Sequence, residues 1–342
     1  MAARETVVIA IHGANQAKRT EEENASVWKN AFSVEQDNYE MIVPLMNGEQ
    51  NEDVAQYHTR KHPGSDFPAF TGWKPAWYAN VWKDLKDENG DMIEAAFGER
   101  LNARSDDMME ESRGVIGAIA DKLESIERAV MQKHFDELVP FYELAVIEDQ
   151  GQTLYSAICE KVLRDIVEFS EGGQKAFLML AHSMGCAVSF NVLSHLTHAR
   201  EGRSLTAIRG ALSEEYEALV HEVVGMNVQC FGLATFGNYS GYDFAMKLNA
   251  RILTGEAVKE YQYPTYCPSW FNFFTVLGGD PYIIDDKLDD DVIDNHDEYH
   301  DVPVWRVPFT GIGHSLEKWF ARDSFVKGVR KRLRTSFYVP GN

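Results

Sequence analysis

Cysteine is scarce. The chain has four in 342 residues, Cys159, Cys186, Cys230 and Cys267, scattered without the spacing of a metal site. That argues against a disulfide scaffold or a zinc module, and the thiols read as reduced and mostly buried. No apolar run approaches the length of a membrane span. The first residues, Met-Ala-Ala-Arg-Glu-Thr, lead straight into a strand, without the apolar core and small-residue cleavage site of a secretory signal. A cytoplasmic location is expected, with export by a route that reads no cleavable signal left open. Basic side chains number 33 against 53 acidic ones, a net charge of −20. This balance argues against nucleic acid and strongly anionic membranes as partners and leaves a neutral or zwitterionic small molecule. No internal repeat is found.

What is present is a globular composition, 44% hydrophobic, long enough for one large α/β domain or two smaller ones. The most informative stretch is residues 175–193, Lys-Ala-Phe-Leu-Met-Leu-Ala-His-Ser-Met-Gly-Cys-Ala-Val-Ser-Phe-Asn-Val-Leu. A short apolar run ending at Leu180 suits a strand buried on both faces of a parallel sheet, and the helix that follows is apolar on most sides. Ser183 stands between them. A serine on such a turn has its hydroxyl pushed out at the carboxyl end of the sheet, with the N–H of the next residue, Met184, aimed at whatever the oxygen attacks. The turn needs small residues two before and two after the serine, and Ala181 and Gly185 fill those places.

In chain order, residues 6–11 form a β-branched strand that ends in His12-Gly13-Ala14-Asn15. Gly13 either permits a tight turn beside a satisfied core histidine or opens a loop whose Ala14 N–H is a second oxyanion donor. Residues 21–32 read as a helix and residues 39–43 as the next strand. Residues 47–75, rich in Gly, Pro, His and polar side chains, read as a surface excursion, and residues 76–139 as several helices, clearest at 115–139. Trp73, Trp77, Tyr78 and Trp82 crowd together at the start of this helical stretch, either lining a cap or packing the helices onto the body. Residues 1–46 and 151–342 therefore form the core, and 47–150 a mainly helical insertion placed where a cap or lid belongs. A helix at 153–169 closed by Gly172-Gly173, the strand and helix around Ser183, a helix at 213–224, strands at 227–236, 270–277 and 304–307 and a final helix at 316–333 complete the core.

A serine nucleophile needs a base, an acid to orient the base, and two oxyanion donors. His314 follows the last strand in a loop with Gly311 and Gly313 and is the best base. His182 points along the turn, and His195 and His198 read as the exposed end of a helix. Asp280, after Gly278-Gly279, is the best acid, with Asp243 as runner-up one strand earlier. The acidic run 285–301, with His296 and His300, lacks calcium-loop spacing and reads as a solvated loop rather than a metal site.

With these residues in place, the sequence resembles the serine hydrolases of the α/β-hydrolase fold, of the lipase and esterase kind, with no subfamily identified. Ser183, Asp280 and His314 stand in that family's order Ser, Asp, His, and the likeness covers residues 6–11 and 175–342. Ala181 departs from the usual glycine, a variant also found among similar lipases. The resemblance implies a mostly parallel sheet of about six strands with helices on both faces, beginning at the strand that bears His-Gly. It implies hydrolysis of a carboxylic ester through an acyl-enzyme, with no metal or organic cofactor. Thioesterases, amidases and acyltransferases would use the same three residues. A phospholipase-type exported effector and a catalytically silent binding or receptor protein on the same scaffold are the alternatives.

Overall fold

The computed structural model describes residues 3–13, 19–32, 60–61, 64–85, 138, 140–142, 144, 146–147, 152–238, 243–256, 262–275, 299–304, 316–320, 323–335 and 337. Its centre is a parallel sheet built from β1 (Ala3–Ile11), β2 (Phe67–Ala76), β5 (Ala176–His182), β6 (Cys230–Phe236), β7 (Trp270–Thr275) and β8 (Tyr299–Val304), in the order β2-β1-β5-β6-β7-β8. Every pairing in it is parallel. The two-residue strands β3 (Val146–Ile147) and β4 (Gln152–Thr153) pair with each other, outside this sheet.

Helices cover both faces, because β1 from Val7 to Ile11 and β5 from Ala176 to Ala181 are buried and apolar at every position. Val7, Ile9 and Ile11 of β1, with Phe177, Met179 and Ala181 of β5, face a core shared with α2 (Leu154–Phe169), α3 (Met184–Arg200), α4 (Glu214–Gly225) and α5 (Asp243–Thr254). The alternate residues Val8, Ala10, Leu178 and Leu180 face a second core with Trp28 of α1 (Glu21–Phe32), Trp319 and Phe320 of α6 (Leu316–Phe320) and Phe325 and Val329 of α7 (Asp323–Thr335). The side-chain period of two along a strand thus divides one apolar run between two layers.

The expected strand 39–43, and the 115–139 helix apart from Leu138, lie outside the described residues. Residues 67–76 do not belong to a surface excursion. They form β2, paired with β1 along its whole length. Pro68, Gly72 and Pro75 obscure the strand in the sequence; among the described residues β2 is the edge strand of the sheet, a place that tolerates them. Trp77, Tyr78 and Trp82 after it are buried, so these three pack onto the body. The final helix divides into α6 and α7. The end of the acidic run, from Tyr299 to Asp301, is strand β8, set in register against β7 through Asn272 and Asp301.

His195 and His198 are buried, contrary to the exposed helix end expected for them. The cause is the burial of α3 along nearly its whole length, between the sheet and α2 and α4. Its polar side chains bond inward. Ser189, Ser194 and Thr197 donate to carbonyls one turn earlier at 2.6–2.8 Å. Tyr155 O–H donates to Asn191 Oδ1 at 2.6 Å, so it accepts from His195 Nε2 at 3.1 Å, and His195 Nδ1 in turn accepts from Tyr216 O–H at 2.9 Å. Among the described residues no helix is long and apolar enough to cross a membrane.

Candidate active site

The order β2-β1-β5 has a consequence for ligand binding. Among the described residues, the sheet adds β2 on one side of β1 and β5, β6, β7 and β8 on the other, so β1 and β5 flank the point at which the winding reverses. The carboxyl ends of two such strands open a crevice in doubly wound sheets. His12-Gly13 follows β1 and Ser183 follows β5, and these two turns touch.

Ser183 has φ 56° and ψ −126°, a conformation that costs a non-glycine residue on the order of 1–3 kcal/mol. The strain arises because β5 must reverse into α3 within one residue. Three contacts hold it. Ser183 N–H donates to Phe236 O at 3.2 Å, tying the turn to the end of β6. The Cys186 thiol reaches Ala181 O at 3.3 Å and Phe236 O at 3.6 Å from beneath. Gly185 lets the first turn of α3 pass over β1, since a Cβ there would lie 2.6 Å from both Ile11 O and His12 O. The Ser183 hydroxyl does not cap the helix it precedes, although Ser183 occupies the cap position. Met184 N–H sits at the positive end of a 17-residue helix dipole.

Gly13 closes the other side. A Cβ on Gly13 would lie 2.5 Å from Ser183 Cβ, 3.0 Å from Ser183 Oγ and 3.2 Å from His182 Nδ1. Only a residue without a side chain fits there. His182 itself packs against Phe236, ring centroids 5.0 Å apart. Ser183 is 2% exposed and Met184 equally so, which places the hydroxyl in a dry, low-dielectric setting.

His12 is the hub of the loop. Its Nδ1–H donates to Gly13 O at 2.7 Å, and its Nε2 accepts the Tyr78 N–H at 3.3 Å. Tyr78 O–H donates to His12 O at 2.8 Å, and the two rings stack at 4.0 Å. One donor and one acceptor on the imidazole describe a neutral ring. Burial, with a smaller contribution from the Arg19 charge, lowers the His12 pKa to about 4, so the ring is uncharged near neutrality. The segment bearing Tyr78 is anchored in turn. Trp77 N–H donates to Asp165 Oδ2 at 3.1 Å, and Asp165, on α2, pairs with Lys161.

Further along the same edge, Asn272 of β7 is fully buried and accepts from Thr235 Oγ1 at 2.8 Å and Asn238 Nδ2 at 3.2 Å. This pair of bonds links the carboxyl ends of β6 and β7, the strands after which Asp243 and Asp280 follow in the chain.

Of the residues singled out in the sequence, Ser183, Met184 and Gly13 are brought together. Ala14, Asp280 and His314 lie outside the described residues, as does the side chain of Asp243. The hub role of His12 and its grip on Tyr78 were missed; the signal was the aromatic pair Trp77-Tyr78 immediately after an unread strand. Among the described residues no cluster of three or more His, Cys, Asp or Glu could hold a metal ion. Compared with family models, curated proteins and solved structures, the chain matches none of them.

Proposed function

We propose that this protein is a serine hydrolase of the α/β-hydrolase kind that cleaves a carboxylic ester, without a cofactor, in the cytoplasm. The observation that carries the reading is the strained Ser183 turn at the sheet's switch point, pressed against Gly13 and followed directly by the N-terminus of α3. Ser183 Oγ attacks the ester carbonyl carbon, and its proton passes to His314, whose imidazole Asp280 orients. The carbonyl oxygen takes up the charge against the N–H groups of Met184 and Ala14. Collapse of the tetrahedral species expels the alcohol, which takes the proton back from His314, and water then releases the acid by the same steps in reverse. Each oxyanion donor is worth about 10²–10³ in rate. The net charge of −20 favours a neutral or zwitterionic substrate over an anionic one.

Mixing the protein with an excess of a p-nitrophenyl ester tests this. The expected result is a burst of p-nitrophenol equal to the protein concentration, absent from Ser183→Ala. Steady hydrolysis that survives Ser183→Ala would overturn the reading.

The near-complete burial of Ser183 favours one second reading, a hydrolase scaffold kept as a binding protein. Ser183→Ala separates the two, since it abolishes hydrolysis under the first and leaves partner binding intact under the second.

A further inference from the structure

We infer that Tyr78 is a positioning residue for the oxyanion loop, acting through His12, with Asp165 as its anchor on α2. The inference rests on the hydrolase reading for its catalytic consequence, but the clamp itself is a matter of geometry.

The loop after β1 is gripped from two sides. On one side Gly185 and Ser183, at the turn from β5 into α3, lie so close to His12 O and to Gly13 that no Cβ could be inserted. On the other side Tyr78 engages His12 twice, with its backbone N–H on Nε2 and its phenol on the carbonyl oxygen, and stacks on the ring between. Trp77 adds a tilted ring 5.1 Å from His12. A steric wall fixes how near the loop can come to the serine, but it does not stop the loop from drifting away. Tyr78 opposes that drift. All of these groups are buried, so each bond is made in a low dielectric and its loss leaves an unsatisfied partner.

The clamp needs a fixed base, because Tyr78 lies two residues past the end of β2 and outside the sheet's ladder. Asp165 supplies it. Its carboxylate accepts the Trp77 N–H and is balanced by Lys161 one turn away on α2. The connected path therefore runs from Lys161 and Asp165 through Trp77, Tyr78 and His12 to Gly13 and Ser183. A displacement of about 1 Å at an oxyanion donor can cost on the order of 10²-fold in rate, so a modest loosening has a measurable effect.

Tyr78→Phe keeps the ring, the stack and the backbone bond and removes only the hydroxyl that donates to His12 O. Two measurements are made on it beside the parent. Hydrogen exchange of the peptide covering residues 11–15 should quicken about tenfold while peptides from α2 and α3 stay as they were. The kcat for a p-nitrophenyl ester should fall about tenfold or more, with KM within about twofold. Asp165→Asn, which keeps an acceptor for Trp77, should retain more activity than Asp165→Leu. Unchanged exchange in the loop would overturn the clamp, whatever the kinetics. Faster exchange with unchanged kcat would overturn the positioning role while leaving the hydrolase reading intact. A parent protein with no Ser183-dependent hydrolysis would overturn the hydrolase reading and the catalytic consequence with it, and exchange alone would then judge the clamp.

Discussion

Gly13 and Ser183 stand so close that a single methyl on the glycine would reach within 3.0 Å of the serine hydroxyl and 2.5 Å of its Cβ. Two strands that are neighbours in the sheet but separated in sequence by residues 12–175 thus deliver their turns to one point.

Gly13→Ala should therefore act on the site before it acts on the fold. The methyl must displace the serine or the loop, and overpacking of this kind costs about 1–3 kcal/mol. Expected is a loss of ester hydrolysis of about 10²-fold or more, with far-ultraviolet circular dichroism unchanged. Near-parental activity would show that the contact is soft.

Gly185→Ala should be harsher. Its methyl would meet two backbone oxygens, Ile11 O and His12 O, at 2.6 Å, and backbone yields less readily than a side chain. Urea unfolding should show a greater loss of stability than Gly13→Ala, and expression of folded protein should suffer first.

Stability should decline as pH falls. Burial holds His12 at a pKa of about 4 and His195 at about 3, whereas an exposed imidazole titrates near 6.5. Between the unfolded and folded values the unfolded chain binds more protons, so the stabilisation is complete above about pH 6.5 and is lost toward about pH 4 and about pH 3 in turn. The loss is about 2 kcal/mol per histidine by about pH 5. Asp165 works the other way, since burial raises its pKa and its protonation favours the fold. Urea midpoints at about pH 7 and about pH 5 check the sign; a higher midpoint at the lower pH would contradict it.

Removing the Asn272 amide should destabilise the far end of the site. Asn272→Ala strips the acceptor from both Thr235 and Asn238 in a fully buried setting, at a cost of about 2–4 kcal/mol. Thermal unfolding reads the effect, and a shift of less than about 2 °C would mean that the two donors find new partners.

Much of this arrangement was legible in the sequence where the pattern was local. The buried strand, Ser183 and the apolar helix form one uninterrupted signal, and α1 has the bounds read for it, 21–32, its start fixed in the structure by reciprocal Thr20 and Glu23 bonds. The strand β2 was not legible, because two prolines and a glycine mask its period and only its pairing with β1 makes it a strand. The buried histidines of α3 were misjudged for a related reason. Nothing near His195 in sequence announces Tyr155 and Tyr216, which satisfy its ring from other helices. The clamp on His12 likewise joins residues separated by 66 positions, which no window of sequence contains.

The most direct test of the central claim is intact mass after exposure to a fluorophosphonate, with Ser183→Ala and His314→Ala alongside. One adduct per chain, mapped to Ser183, missing from Ser183→Ala and formed much more slowly in His314→Ala, is the predicted result. No adduct on the parent protein, or an adduct that persists in Ser183→Ala, would contradict the claim that this serine is an activated nucleophile.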